Sequence, residues 1–274
     1  VNYSNFKIIK QDGTTYDMEE LGIVINSFNP LSPEYSSHTE TIPYRDGFLD
    51  YGGQYNGRTI EIEGSFISNS SLDYRQRRNE VFRLFNSKEW FYVINDAEPI
   101  KRWKVRTEGS YNLKRVAQVM GSFTIGLVSD SAYAESIGTT LNPPEHGQML
   151  QVEEQSFSDP PVQYEFDTSS FSVWNDGDVD IDPRERYLKI TFYGDVESDV
   201  SIKNLTTGDE WILYGELFSY ETIELEGIRF RKDGLSIFGN TNRKLITLAK
   251  GINDFEITGA TNFQISFDFR FYYL

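Results

Sequence analysis

From Arg58 to Phe66 the chain alternates. Ile60, Ile62, Gly64 and Phe66 fall on one side and Glu61, Glu63 and Ser65 on the other, the period of two that a strand buried on one face requires. The pattern stops at Asn69-Ser70-Ser71, small polar residues that can accept hydrogen bonds from the free N–H groups of a helix start. Asp73 suits the positive end of the helix dipole. A helix is therefore predicted up to Phe85-Asn86-Ser87, with Tyr74, Val81, Phe82, Leu84 and Phe85 on one apolar arc and Arg75 and Arg83 outside it. Arg78 falls within the arc. Its guanidinium must snorkel to solvent, meet an internal carboxylate, or contact another subunit.

On either side of this unit the same reading continues. Phe6 to Lys10 and Gly22 to Phe28 read as strands, with a turn at Asp12-Gly13 and an acidic segment from Tyr16 to Leu21. Asn29-Pro30 and Ser32-Pro33 break the pattern, and Pro33 to Thr41 reads as irregular. Arg45-Asp46-Gly47 and Asp50-Tyr51-Gly52-Gly53 then form a Gly-rich loop. After the helix, Trp90 to Ile94 and Arg102 to Thr107 pair across Asp96-Ala97-Glu98-Pro99. Arg115 to Val128 reads as one long strand that either bends at Gly121 or extends past the sheet.

Between Ser129 and Pro161 the periodicity fades into Pro- and Gly-punctuated polar sequence, with short connecting strands possible around Met149 to Val152. The domain boundary is placed here, giving residues 1–135 and 136–274. The second half reads as short strands about ten residues apart: 171–174, 187–193, 200–204, 210–213, 222–226, 228–232, 235–238, 245–248, 254–257 and 263–271. Even spacing without a helical period predicts a two-sheet jelly roll. The fold class is thus mainly β: an N-terminal β-sandwich with one flanking helix and a C-terminal jelly-roll β-sandwich.

Composition narrows the function. The net charge of −16 argues against a nucleic-acid clamp, which needs clustered Lys and Arg. Acidity fits a soluble protein, or the wall of a channel past which DNA slides. With no cysteine there is no disulfide framework, thiolate metal site or Cys nucleophile. No stretch reaches the ~20 apolar residues of a membrane span, and Val1-Asn2-Tyr3-Ser4 lacks the features of a secretory signal, so synthesis in a cytoplasm is expected.

Motifs of catalysis are missing. The run Asn175-Asp176-Gly177-Asp178-Val179-Asp180-Ile181-Asp182 invites a calcium reading, but counting from Asp176 puts Ile181 where an EF-hand needs Gly and Tyr187 where it needs Glu. A solvated turn before Pro183 is preferred. His38 and His146 are the only histidines and lie far apart in the sequence, and no Gly-x-Ser-x-Gly elbow occurs. The Gly-rich loop has neither Walker spacing nor Gly-x-Gly-x-x-Gly. With 42 Asp and Glu residues, carboxylate pairs carry no signal for glycoside hydrolysis. No catalytic residue, metal or cofactor is expected.

Ile42-Pro43-x-Arg45-Asp46-Gly47, Arg58-Thr59-Ile60, the helix ending at Phe85-Asn86-Ser87, and Pro99 before Arg102-Trp103-Lys104-Val105-Arg106 together resemble the N-terminal domain of siphophage distal tail (Dit) proteins. Asn204-x-Thr206-Thr207-Gly208 and Lys250-Gly251-x-Asn253 resemble the C-terminal galectin-like domain of the same family. The resemblance implies a non-enzymatic subunit of the phage tail tip, made in the host cytoplasm, that forms a homo-hexameric ring. Its implied partners are the tail tube protein, a tail-associated hub or fibre protein, and a receptor-binding or baseplate protein on the second domain.

Two surfaces follow as candidates. The segment from Pro30 to Gly57 carries Ile42, Tyr44, Phe48, Leu49, Tyr51 and Tyr55, side chains that a monomer would struggle to cover. With Arg45 and with Arg78 on the helix, these are the candidate ring interface. Trp174, Trp211, Tyr214, Tyr220 and Tyr272 are either core material of a sandwich or a surface for sugars or partners. The alternative function is therefore a carbohydrate-binding protein that recognises cell-wall sugars through its C-terminal sandwich.

Overall fold

The computed structural model describes residues 5–143 and 163–274. The described residues form two compact units divided between Ala134 and Glu135. Met149 to Val152 and His146 lie outside the described residues.

In the first unit the strands are β1 (Phe6–Ile9), β2 (Thr15–Asp17), β3 (Ile23–Pro30), β4 (Tyr35–Glu40), β5 (Leu49–Tyr55), β6 (Arg58–Ile67), β7 (Phe91–Asn95), β8 (Lys101–Thr107), β9 (Leu113–Ala117) and β10 (Met120–Ser129). The helix α1 (Ser71–Leu84) sits between β6 and β7. Seven strands run antiparallel in the order β2-β1-β7-β8-β10-β6-β3, and β9 pairs with β10. If the sheet were flat, β1 and β3 would stand roughly 24 Å apart, five strand spacings. Instead the rings of Phe6 and Phe28 lie 5.6 Å apart. The sheet therefore curls and closes its two faces over one core, with Ile60, Ile62 and Phe66 inside as the alternation requires.

Helix α1 starts where the capping residues predict. Ser70 Oγ accepts from Asp73 N at 3.1 Å, and Asp73 Oδ2 accepts from Asn69 N at 2.7 Å, a reciprocal cap. Tyr74, Val81 and Leu84 are buried. Phe82, expected on the same arc, is exposed, with its ring against Tyr111.

Three further expectations for this unit fail. The Gly-rich loop is not all loop, since Asp50-Tyr51-Gly52-Gly53 lies within β5, and Pro33 to Thr41 is not irregular, since it contains β4, paired with β5. Its sequence hides the strand because almost no residue is buried and the alternation has nothing to report. Arg115 to Val128 is not one strand. The chain reverses at Gln118-Val119, and Met120 pairs back onto Ala117.

Beyond a short strand β11 (Ala134–Ser136) at the division, the second unit contains β12 (Glu165–Phe166), β13 (Ser170–Asn175), β14 (Leu188–Asn204), β15 (Glu210–Tyr214), β16 (Ile223–Glu226), β17 (Arg229–Lys232), β18 (Leu235–Ser236), β19 (Gly251–Phe269) and β20 (Tyr272–Tyr273). The separate strands expected at 187–193 and 200–204 are the two halves of β14, and those at 254–257 and 263–271 belong mostly to β19. The 235–238 strand stops at Ser236, before a short 3-10 turn. The 245–248 segment keeps only an isolated bridge from Leu248 to Ile181.

Both long strands serve both layers of the sandwich. Residues 188–193 of β14 pair with 264–269 of β19, flanked by β12 and β16, while 201–204 pair with 255–258, flanked by β13 and β15. Phe255 and Phe267 would be about 40 Å apart along a straight strand. Their rings are 4.8 Å apart, so β19 doubles back over the core. Glycine permits the bend. Gly259 has φ +84°, and a Cβ there would meet Asp199 O at 2.0 Å.

Asn204 and Asn253, from the two motifs singled out in this half, are fully buried. Asn204 Nδ2 donates to Asn253 Oδ1 (3.1 Å) and to Thr247 O (2.8 Å), while Asn253 Nδ2 donates to Ala249 O (2.8 Å). These motifs fix turns over the core by satisfying buried backbone groups.

Candidate assembly surfaces

Strands β4 and β5 form their own two-stranded sheet, separate from the curled sheet. At the base, Arg58 Nε donates to Leu31 O (2.6 Å) and its guanidinium lies over the Trp103 ring. Asn56 Nδ2 donates to Glu34 Oε2 and Ser36 Oγ, closing the hairpin. Tyr55 touches Tyr35 and Tyr133 edge-on. Further out, Tyr51 Oη donates to Glu40 Oε2 (2.9 Å). Gly53 allows the strands to approach, since a Cβ there would lie 2.1 Å from Ser36 O.

The structure brings most of the expected interface residues onto this arm. Ile42, Tyr44, Arg45, Phe48, Tyr51 and Tyr55 are all exposed. Tyr44, at the tip, has 110% relative exposure and φ +67°, a conformation costly for a side chain of that size. The bulged pairing between Ser37 and Thr39 brackets His38, which is exposed on the arm.

Of the alternatives for Arg78, the internal carboxylate is not met. Among the described residues it has no carboxylate partner; Nη2 donates to Asn79 Oδ1 at 3.3 Å and Nε is buried without a hydrogen bond. The residue before it makes the inward contacts. Arg77 Nη1 donates to Leu21 O (3.0 Å), and its Nε lies 3.7 Å from Asp73 Oδ1.

On the second unit the five candidate aromatics do not form one platform. Trp211 is 0% exposed, in the core against Phe230, which removes it from any surface role. Trp174 is half-buried, and its carbonyl accepts from Tyr164 Oη (3.0 Å). Tyr272, half-buried, has Arg186 against its ring. Only Tyr214 and Tyr220 are open to solvent. Tyr220 stacks on exposed Phe218, with rings 5.6 Å apart and 4° from parallel. Sequence reading missed Phe218, whose alternation with Tyr220 was the available signal. Elsewhere on this unit a polar depression of about 840 Å³ is lined by Glu165, Asp167, Tyr193, Phe263 and Gln264, among others.

The Asp-rich turn is occupied by protein groups. Asp178 pairs with Lys250 Nζ (3.1 Å), Asp180 accepts from Lys250 N (2.8 Å), and Asp182 is held low in pKa, foremost by its hydrogen bonds from Arg184. Burial raises Asp176, against the lowering effect of a hydrogen bond from Tyr273. Among the described residues no cluster of three or more metal-ligating side chains occurs.

Residues 11–129 match the family of the phage tail protein RIFT-related domain. No curated protein matches the chain in sequence. The crystal structure of Dit from phage SPP1, described as a paradigm of the hub adsorption apparatus in phages that infect Gram-positive hosts, is similar in fold. The likeness covers 97% of this chain and 99% of that one, with a TM-score of 0.70 and 13% identity. The baseplate of phage p2 in its activated conformation, with Sr or with Ca, is matched at a TM-score of 0.45 and 11% identity over 98% of both chains.

Proposed function

We propose that this protein, which carries the phage tail RIFT-related domain and folds as SPP1 Dit does, is a structural hub subunit of a phage tail tip. In this reading six copies close into a ring through the N-terminal domain, residues 1–135. The C-terminal galectin-like domain, residues 136–274, holds adhesion proteins. The ring meets the tail tube on one side and a hub or fibre protein on the other. The protein is made in the host cytoplasm, is carried in the virion, and catalyses nothing.

The β4–β5 arm carries this reading. A lone two-stranded hairpin is marginal in water, and this one bears six exposed apolar or aromatic side chains: Tyr35, Ile42, Tyr44, Phe48, Tyr51 and Tyr55. A partner that covers them supplies the missing stability. If the arm of one copy meets a different surface of the next, rotation closes a ring. Charge supports the choice of domain. Residues 1–134 hold 15 Lys and Arg against 17 Asp and Glu, whereas residues 135–274 hold 11 against 25. Copies approach more easily through the nearly neutral domain. Mass photometry across a concentration series tests the proposal: six-fold species should grow at the expense of monomer. A protein that stays monomeric throughout overturns it.

The exposed Phe218–Tyr220 stack and the polar depression favour the second reading, sugar recognition. It predicts glycan binding by the full chain that Tyr220→Ala abolishes. Ring assembly without glycan binding removes it.

A further inference from the structure

Between α1 and the strands of the N-terminal domain lies a groove of about 220 Å³, floored by Leu21, Ile23, Phe66, Val81 and Leu84. That is less than the ~300 Å³ at which small-ligand pockets begin, and it suits a single inserted side chain. Its rim is mostly cationic: Lys10, Arg77 and Arg83 against Glu80. Lys10 is engaged by Leu84 O and Glu89, and Arg77 by Leu21 O and Asp73. Arg83 is exposed and, among the described residues, makes no hydrogen bond or ion pair. The fitting occupant is an apolar ring with negative charge beside it.

The arm tip offers that combination in Asp46-Gly47-Phe48-Leu49-Asp50. Phe48 is 65% exposed, and Asp46 has no partner among the described residues. Strands of six and seven residues give the arm a reach of roughly 20 Å. Resting on the ring reading above, we propose that the groove receives Phe48 from the arm of a second copy, with Asp46 of that copy against Arg83. Arm and groove are different surfaces, so the contact is heterologous and propagates around a ring.

The absence of cysteine makes the test direct. Full-length Phe48→Cys and Glu80→Cys proteins, one carrying a mass tag, are mixed under oxidising conditions, and Arg83→Glu is assayed for assembly alone and with Asp46→Arg. The expected results are a mixed disulfide dimer, assembly weakened about tenfold or more by Arg83→Glu, and recovery in the charge-swapped protein. Wild-type rings without the mixed disulfide, together with normal assembly of Arg83→Glu, overturn the groove assignment and leave the ring reading intact. A disulfide found only within a doubly substituted chain also overturns it, because the arm would then fill its own groove. Wild-type protein that stays monomeric throughout removes the ring reading and this contact together.

Discussion

Two antiparallel strand pairs in this protein share a hydrogen-bonding pattern and differ in what surrounds them. The β14–β19 pair sits inside a sandwich, with further strands on its edges and a core of Phe192, Phe255, Phe267 and Phe269. Among the described residues the β4–β5 pair has no further strand on either edge, and it exposes nearly every side chain. One is held by what it buries within the chain. The other has its apolar groups outside any core, and in the proposed ring another copy would cover them. Phenylalanine in the first pair is therefore structural material, whereas Phe48, in the connection between β4 and β5, is open to solvent.

Matched substitutions break or sharpen this contrast. Phe267→Ala, which removes a buried ring touching Phe171 and Phe255, should cost about 3–5 kcal/mol in urea denaturation. Phe48→Ala should change monomer stability by less than about 0.5 kcal/mol yet reduce assembly. Equal losses from the two would erase the distinction. Asn253→Ala should cost about 1–3 kcal/mol, because it leaves Asn204 and the 249–251 turn with unmet buried hydrogen bonds.

Alkaline pH separates the two domains on a smaller scale. Burial pushes Tyr111 of the first domain up to about 12 from 10.0. Burial also raises Tyr164 and Tyr273 of the second, and Asp176 adds to both. Each phenol ionises more readily unfolded than folded. The stability it contributes is complete below about pH 10 and is lost as pH rises through the folded value. The second domain should therefore be the first cut in limited proteolysis as pH is raised above 10, and earlier cleavage of the first domain would contradict this. The smallest effect is expected from Arg78→Ala. With no carboxylate left unpaired by the change, stability should move by about 0.5 kcal/mol or less, and a larger loss in a thermal melt would restore an internal partner.

Where burial alternates, the sequence was legible. Ile60, Ile62 and Phe66 and the strand around Trp103 and Val105 signalled a side facing the core, and Ser70 signalled the helix start by its capping hydroxyl. The doubling of β14 and β19 was hidden because each bend reads locally as a turn between two strands, and only long-range pairing joins the halves. The arm's exposed apolar residues were legible and its strand pairing was not, since exposed strands leave no period to read. Trp211 was the opposite error. Its neighbours on β15 are partly exposed, so composition alone could not tell a core tryptophan from a surface one.

The central claim is that the β4–β5 arm exists to join copies. Electron microscopy of full-length protein beside a variant with residues 35–55 replaced by a short Gly-Ser link tests it most directly. The account predicts closed six-membered rings from the full chain, and from the variant a folded monomer with an unchanged β spectrum. Rings that persist without the arm, or a full chain that never forms them, would contradict it.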